Sequence, residues 1–543
     1  MWFVLFWSKF LRYLYVNVQS KFYIGTIIST ALIITGCVCM PSKTQLNILA
    51  SDIKFLYEKY PSLRTNSNID VIKDVASKTL GTQKTHDLIN LISNNSNTFH
   101  KIRSSVITTL VNSKVVGHAV VSGQSVTGMV AAAILAKSGY RVDVYETRTK
   151  YSRNIQWAGR QSLVEELASI DQELANNFIK SVANTIDRGS IHLKRDGTKR
   201  HSKHDGLIKS CTIMSILPDS IEMMKKPSVV TMQAKLFEEM LMHYLNTLPN
   251  VYRHIHAMKI TKCTSDKEYY CIGQYKPDII IVAEGAASKT RDALGIKSVV
   301  TSPSRLQIAG NIEIDGGGVM IKHWRNEKNI LLSGLIGTKN SGVTWMVADI
   351  DIAKITQDIA YGTSDESNIY ASINQDLIDN EFRRLVAEAM ELPLTTVQQA
   401  KINGPIEGKA ISTFFLQQRI SKKAFSGKNV ILLGDSVGNN HWSVGGGMQI
   451  GAISHAEQLK ILLLDLDMKV PVEIALQKYS DNVIRDSQVW GEVGIVDFYH
   501  NLDQSCVKEV YNTSIEQWRN GNIATPLDAM HKTINTCYQR SHN

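Results

Sequence analysis

Apolar and polar positions divide the chain into stretches that predict different elements. Residues 41–113 have a helical pattern that polar runs interrupt, as at residues 93–97. Near residue 115 a valine-rich run leads into a glycine turn, which predicts a buried strand. Between residues 306 and 347 apolar residues alternate with other residues, and this period predicts an antiparallel sheet with one solvated face. The chain after residue 467 is again helical in pattern.

The valine-rich run opens a unit of strand, turn, helix and strand. The turn is residues 123–128, an apolar helix follows at residues 129–137, and a second strand at residues 141–145 ends beside Glu146. This acid stands 18 residues after the last glycine of the turn, close to the spacing of about 20 that is typical of a dinucleotide-binding fold. The pattern therefore predicts a Rossmann-type α/β unit.

Each position of this unit meets a physical demand. Gly123 permits a tight turn out of the strand, and Gly128 lets the helix and the strand pack closely. The amino terminus of the helix offers free N–H groups to a pyrophosphate, and Glu146 can accept hydrogen bonds from ribose hydroxyls. Ser125 stands where the pattern has its middle glycine. Serine is small and adds a hydroxyl donor. We therefore expect the requirement for glycine at this position to be weaker here and the phosphate-binding turn to be retained.

Two later segments share one form, a buried strand that ends in a turn with an acid and a glycine. The strand at residues 278–282 runs into such a turn at Glu284, and the strand at residues 430–433 ends at Asp435. An acid in this position lies at the edge of a sheet where a cofactor can bind. A glycine turn then opens an apolar helix, so that backbone N–H groups face an electron-rich ring or a phosphate. The glycines of this turn are Gly445, Gly446 and Gly447.

In this order and at these separations, the three segments resemble the fingerprints of the class A flavoprotein monooxygenases, which have the para-hydroxybenzoate hydroxylase fold. The resemblance covers about residues 115–467. It implies an α/β fold with a Rossmann-type FAD-binding domain, an inserted antiparallel β-sheet substrate domain, and helical N- and C-terminal extensions. The boundaries that we expect are 1–40 for a membrane anchor or lipoprotein signal, 41–113 for a helical extension, 114–298 for the first part of the FAD-binding domain, 299–424 for the substrate-binding sheet, 425–467 for the rest of the FAD-binding domain, and 468–543 for C-terminal helices.

The resemblance also implies roles for residues at the adenosine end of FAD. Glu146, Arg148 and residues 151–154 are similar to a stretch of the MICAL-type branch. By that match Glu146 binds the adenosine ribose, and Arg148 and Arg153 lie near the phosphates and the adenosine. Arg160 resembles the arginine that approaches the pyrophosphate.

At the flavin end, Gln233 resembles a polar residue at a helix start that touches the cofactor. Asp435 is implied to hold a ribityl hydroxyl, and the turn at residues 445–447 is implied to face the isoalloxazine. Glu284 keeps the charge of the usual aspartate in a motif that serves both FAD and NAD(P)H. The residues placed around FAD are Gly123, Ser125, Gly128, Glu146, Arg148, Arg153, Arg160, Gln233, Glu284, Asp435, Gly445, Gly446 and Gly447. We assign no catalytic residue and no metal ligand.

The function that this resemblance implies is an NAD(P)H-dependent monooxygenase that hydroxylates or epoxidises a small organic substrate with molecular oxygen. The family often has a proline before the last glycine turn, and Ser443 stands there instead. Two alternatives therefore remain open, a reductase or dehydrogenase similar to the isoprenoid reductases, and a non-catalytic FAD-binding protein. NADPH and NADH are not distinguished by the sequence.

Composition and charge limit the classes of binding partner that we expect. The net charge is +10, but 60 basic residues are spread among 50 acidic ones, so we do not expect nucleic acid to bind. The seven cysteines contain no C-x-x-C pair and no zinc spacing, and a disulfide framework is not expected in so large a chain. Residues 23–40 lack charged side chains and follow Lys9, Arg12 and Lys21, which predicts membrane association through a single anchor. Residues 34–37 also resemble a lipoprotein signal, and the side of the membrane is left open.

Overall fold

The computed structural model describes residues 42–498 except 67, 114, 183, 186–228, 301–304, 315–320, 326–330, 338–342, 351–373, 391 and 440–445. The predicted membrane segment at residues 23–40 therefore lies outside the described residues, as does the chain after residue 498. Within the described ranges, none of the helices is both long and apolar enough to cross a bilayer.

The strands are β1 (Gly117–Ser122), β2 (Tyr140–Tyr145), β3 (Gln156–Arg160), β4 (Asn184–Thr185), β5 (Val229–Gln233), β6 (Val251–His254), β7 (Thr261–Lys262), β8 (Tyr270–Cys271), β9 (Ile279–Val282), β10 (Ser298–Val300), β11 (Arg305–Glu313), β12 (Ile321–Arg325), β13 (Leu331–Gly337), β14 (Val343–Asp349), β15 (Lys401–Asn403), β16 (Ser412–Leu416), β17 (Arg419–Ser421), β18 (Phe425–Ser426), β19 (Val430–Leu432) and β20 (Gly438–Asn439).

The α-helices are α1 (Lys43–Lys59), α2 (Ile69–Leu80), α3 (Thr82–Asn94), α4 (Ser96–Ser113), α5 (Val126–Lys137), α6 (Gln161–Ile170), α7 (Gln172–Ser181), α8 (Ala234–Asn246), α9 (Lys289–Ala293), α10 (Gln375–Met390), α11 (Leu394–Gln398), α12 (Gly446–Gln449), α13 (His455–Asp467) and α14 (Val472–Phe498). Single 3-10 turns occur at Pro61–Thr65 and Gly434–Ser436, and a π-helical turn at Ile450–Ser454 joins α12 to α13.

The central sheet has the order β18-β19-β9-β1-β2-β6, in which every strand except β18 runs parallel to its neighbours. Its apolar, β-branched strands are buried, as expected for a parallel sheet covered by other elements. Counted along the chain, its parallel strands have the order 3-2-1-4-5 of a doubly wound dinucleotide fold. The helix α5 packs on this sheet with every residue from Val126 to Ala136 buried, which is why the helix is apolar on all sides.

The second sheet, of order β12-β13-β14-β11-β15 with β16 also paired to β11, is antiparallel and lies in sequence between β9 and β19. One face, with Ile308 and Met346, forms a core with Phe382 of α10. The other face carries Ala309 and Trp345, which pack with Ile155.

For β11 and β14, where side chains are described, the prediction that one face of this sheet is solvated is wrong. Gln307 and Asn311 lie on the face opposite α10, and both side chains are buried. The alternation arises because the two faces pack against different elements: α10 covers one face, and the loop around Asn154 contacts the other, where the Asn311 side-chain amide donates to the carbonyl of Asn154.

The helices at residues 43–113 pack against the nucleotide-binding half of the molecule. Their core includes Leu464 of α13. The Ser62 amide donates to the Asp467 carboxylate at 2.9 Å, and the buried Arg103 guanidinium donates to the carbonyls of Arg64 and Ser169. These contacts join α4 to α6, and the 3-10 turn at Pro61–Thr65 to α13.

One disulfide, Cys263–Cys271, closes the β7–β8 hairpin. The cysteine pattern does not predict it, because seven cysteines without a paired spacing do not indicate which two lie together. The Asn429 side chain accepts from the Tyr270 amide and donates to the Tyr270 carbonyl, both at 2.9 Å. The closed hairpin therefore supports the start of β19, the strand that leads to Asp435.

Candidate functional site

The carboxyl ends of β2, β1, β9 and β19 meet at one edge of the central sheet, because these strands are parallel neighbours. The three sequence segments singled out above follow these strand ends, so the fold brings them together. Three strand spacings separate β2 from β19, which is about 14 Å at the usual distance between strands. A ligand lying along this edge must therefore be long.

The glycine turn after β1 is packed too tightly for a side chain. Gly123 has φ +99°, and a Cβ at this residue would overlap the carbonyl of Ala283 after β9. A Cβ at Gly128 would overlap the carbonyl oxygen of Gly123. The close approach of helix and strand that the sequence predicts is therefore present. Ser125 is the N-cap of α5, but its side chain makes no capping hydrogen bond.

Glu146 ties the end of β2 to this turn. Its carboxylate accepts from the backbone amides of Gln124, Thr147 and Arg148, at 2.8–3.0 Å, and from Arg148 Nη2 at 2.7 Å. Burial alone would raise the pKa of Glu146, but the hydrogen bonds from Arg148 and Gln124 outweigh it and bring the pKa to about 2. Glu146 is thus a fixed negative charge beside the amino terminus of α5.

Pairwise contacts between charges of opposite sign link Glu146 to two arginines and a further acid. Arg148 Nη1 lies 3.8 Å and Arg153 Nη1 lies 3.6 Å from Oε1 of Glu238 on α8. Arg153 in turn acts electrostatically on Asp435, where its positive charge opposes the rise in pKa that burial causes. We call Glu146, Arg148, Glu238, Arg153 and Asp435 the charged row. Glu238 was not anticipated from the sequence, and in this row it is the member whose side chain has no exposed surface.

Asp435 lies in the 3-10 turn after β19, next to Gly434, whose φ of +62° favours glycine. Its Oδ1 atom is buried and has no hydrogen-bond partner among the residues that the structure describes. Burial raises the pKa of Asp435 to about 6, although Arg153 acts in the opposite direction. A Cβ at Gly447 would overlap this carboxylate, so the second glycine of the described turn passes directly beside it. Gly446 begins α12, and Gly445 lies outside the described residues.

His455 holds this turn in place and was also missed from the sequence. Its Nδ1 accepts from the Gly434 amide at 3.0 Å, and its Nε2 lies 3.1 Å from the Val483 carbonyl. Burial lowers the pKa of His455 to about 3, so the ring is neutral with its proton on Nε2. The histidine therefore links the turn that carries Asp435 to α14. Its only signal in the sequence is a polar residue within an apolar helix.

The carboxylate of Glu284 is engaged inside the protein. It accepts from the hydroxyls of Ser122, Ser288 and Thr290 and from the Thr290 amide, at 2.5–3.1 Å. Burial acts to raise the pKa of Glu284, but these bonds lower it overall. Glu284 thus stabilises the turn between β9 and α9.

The remaining predicted residues lie beside the charged row or outside the described atoms. Gln233 is the N-cap residue of α8, and its Nε2 donates to Asn154 Oδ1 at 3.0 Å. Arg160 ends β3, where its backbone pairs with Val229, and its side chain is not among the described ones. Among the described residues, no group of three or more histidine, cysteine, aspartate or glutamate side chains is arranged to hold a metal ion.

Neither protein-family models nor curated proteins match this chain. Solved structures do match. The p-nitrophenol 4-monooxygenase of Pseudomonas putida is 16% identical, with a TM-score of 0.50, and the match covers 78% of this chain and 97% of that one. A probable FAD-dependent monooxygenase from Pseudomonas aeruginosa is 14% identical over 70% of this chain and 95% of that one, with a TM-score of 0.48.

At this identity the first match establishes the fold. The predicted fold class is confirmed: the chain shares the α/β fold of this p-nitrophenol 4-monooxygenase, with a parallel sheet of dinucleotide-binding order, an inserted antiparallel sheet and helical extensions. The similarity to the MICAL-type branch stays a prediction.

Proposed function

We propose that this chain binds one FAD along the charged row and uses NADPH or NADH and molecular oxygen to hydroxylate or epoxidise a small organic substrate. The observation that carries the proposal is the charged row itself, which links Glu146 after β2 to Asp435 after β19. The acids at its two ends suit the hydroxyl-bearing chains of FAD, and its two arginines suit the phosphates between those chains.

The residues present fit FAD at three points. The amino terminus of α5, uncapped by Ser125, and the partly exposed arginines Arg148 and Arg153 suit a pyrophosphate. The unpartnered Oδ1 of Asp435 suits a ribityl hydroxyl donor. Gly447 has no side chain, so its backbone can pass directly beside the Asp435 carboxylate, which suits a turn whose N–H groups face the ring.

At the adenosine end the fit requires a rearrangement. All five hydrogen bonds that the Glu146 carboxylate accepts come from the protein, and one of them is from the guanidinium of Arg148. We propose that Arg148 turns towards the pyrophosphate, and that a ribose hydroxyl takes its place on Glu146. The three backbone bonds to Glu146 remain in place and fix its orientation.

Bound FAD would supply the two-electron chemistry, accepting hydride from NAD(P)H and activating oxygen. The protein's own contribution is to bind, orient and exclude water. His455 and Gly434 fix the position of Asp435. The sheet face with Ala309 and Trp345 packs with Ile155, which is close in sequence to Arg153 and Asn154, and we propose that the substrate binds on this side of the site.

Turnover by the purified holoprotein tests this function. We expect candidate substrates to accelerate the oxidation of NADPH or NADH, and the product to contain one oxygen atom from ¹⁸O₂. A product that gains hydrogen without ¹⁸O would identify a reductase instead. FAD-containing protein that oxidises neither nicotinamide with any substrate would favour a non-catalytic role. Glu239→Gln, a change in a partly exposed residue of α8, serves as the matched control with unchanged turnover.

We also propose that residues 23–40 attach the protein to a membrane. Support comes from their uncharged, apolar composition and from the basic residues before them. Deleting residues 1–40 is expected to move the protein from the membrane fraction to the soluble fraction with its flavin retained. A truncated chain that still sediments with membranes would show that another part of the protein holds it there.

A further inference from the structure

Glu238 is a buried acid that the proposed chemistry does not use. It lies on α8 with no exposed side-chain surface, and neither of its carboxylate oxygens has a hydrogen-bond partner in the described structure. Its nearest opposite charges are Arg153 at 3.6 Å and Arg148 at 3.8 Å. A buried carboxylate usually accepts several hydrogen bonds, because losing its hydration is costly. Glu238 in its ionised form therefore depends on the two arginines alone.

The two arginines differ from Glu238 in exposure. Their side chains are 35% and 42% exposed, and they face the proposed pyrophosphate site, whereas Glu238 lies behind them. Burial raises the pKa of Glu238, while Arg153 and Arg148 lower it by less. The protonation state of this carboxyl group is therefore sensitive to any change in what the arginines contact.

We propose that Glu238 takes up a proton when the pyrophosphate of FAD binds to Arg148 and Arg153, so that cofactor binding is coupled to proton uptake at this carboxyl group. The proposal rests on the function proposed above. The pyrophosphate brings two negative charges to the arginines that now balance Glu238, and an ionised Glu238 would then repel the ligand across a short, poorly hydrated gap.

The step is a simple protonation. One proton moves from the solvent to a carboxylate oxygen of Glu238, no bond in FAD forms or breaks, and no oxidant or reductant takes part. The complex thus gains two negative charges from the pyrophosphate and one positive charge from the proton. Neutral Glu238 can also donate a hydrogen bond, which its ionised form cannot.

Three other acids of this region must be separated from Glu238 in the measurement. Glu146 follows β2, and its pKa of about 2 keeps it ionised throughout the neutral range. Glu239 is its neighbour on α8 and acts to raise the pKa of Glu238, as does Glu146. Asp435 follows β19 and has a pKa of about 6. A ribityl hydroxyl that donates to Asp435 favours the ionised carboxylate. Asp435 would therefore release a proton when FAD binds, which is opposite in sign to proton uptake at Glu238.

Because these effects oppose each other, the test compares variants. FAD is titrated calorimetrically into the flavin-free full chain, in buffers of different ionisation enthalpy near neutral pH, to count protons taken up per FAD. The parent protein, Glu238→Gln and the control Asp481→Asn, at an exposed site on α14, are measured alike. We expect Glu238→Gln to take up fewer protons than the parent, by as much as one per FAD, and Asp481→Asn to match the parent.

The pH dependence of the affinity for FAD also tests whether a proton is taken up at Glu238. With one proton linked to binding, the affinity of the parent relative to Glu238→Gln should fall by up to about tenfold for each unit of rising pH. Glu238→Gln should bind FAD at least as tightly as the parent above neutral pH. Equal proton uptake in the two proteins would overturn the proposal, as would weaker binding by Glu238→Gln at every pH, which is the result expected if an ionised Glu238 only positions the arginines.

A second measurement uses only the parent protein and does not depend on whether a variant folds. The infrared difference spectrum of the parent on adding FAD should show a new protonated-carboxyl band, and its absence would overturn the proposal. If the parent binds no FAD at all, both this inference and the proposed function fail. If FAD binds without a difference in protons, only this inference fails.

Discussion

Replacing Asp435 with asparagine is expected to stabilise the flavin-free protein and to weaken its binding of FAD. Burial raises the pKa of Asp435 from 3.8 to about 6. The folded state therefore favours the protonated form, and this contribution to stability is full below pH 3.8 and is lost as the pH rises through 6. Two pKa units correspond to about 3 kcal/mol. Denaturant unfolding of the flavin-free proteins at pH 8 should show Asp435→Asn to be more stable by up to that amount, and at pH 4 nearly equal.

The same substitution removes the charged acceptor for a ribityl hydroxyl. A hydrogen bond to a charged group contributes about 1.5–3 kcal/mol, so the affinity for FAD should fall tenfold or more. The visible absorption of bound flavin should also change, because Asp435 lies beside the turn of Gly446 and Gly447. Asp481→Asn on α14, an exposed site, is the control. FAD bound by Asp435→Asn with parental affinity and spectrum would show that the cofactor does not lie here.

Replacing Glu146 with glutamine is expected to destabilise the flavin-free protein at neutral pH. Its pKa is lowered from 4.5 to about 2, so its contribution is present above pH 4.5 and is lost as the pH falls towards 2. The shift corresponds to about 3 kcal/mol at neutral pH. The amide of glutamine also turns a donor towards backbone N–H groups that need an acceptor. Unfolding at neutral pH should show a loss of this size, and the loss should shrink in acid.

Glu146→Gln should also weaken FAD binding about tenfold or more, since a charged ribose acceptor is lost. The visible spectrum of the flavin that remains bound should stay unchanged, because Glu146 is about three strand spacings from Asp435. Equal spectral changes in the two variants, or none in either, would contradict the proposed direction of FAD along the charged row. Glu239→Gln again provides the matched control for the loss of one acid.

Local sequence was sufficient to predict the nucleotide unit. Gly123 and Gly128 can be recognised because a strand, a turn and a helix that follow each other directly bring them together, and both are packed too tightly for a Cβ. Glu146 and Asp435 were placed in the same way, since each follows a buried strand and parallel strands end at one edge. The central sheet therefore follows from short segments and their order.

Contacts between distant segments could not be predicted. Glu238 is an ordinary helical glutamate until the fold brings α8 behind Arg148 and Arg153. His455 acquires its role only because α14 passes next to α13. Glu284 matches a cofactor motif in sequence, yet its carboxylate is engaged by Ser122, Ser288 and Thr290. The buried polar face of the inserted sheet likewise depends on which elements pack against it.

The flavin content of the purified protein tests the central claim most directly. The protein should be yellow, and denaturation should release one non-covalently bound FAD per chain, identified by chromatography against FMN. FAD rather than FMN is expected because the unit from Gly123 to Glu146 is built for an adenine dinucleotide. A colourless protein whose flavin-free form cannot be reconstituted with FAD would contradict the account.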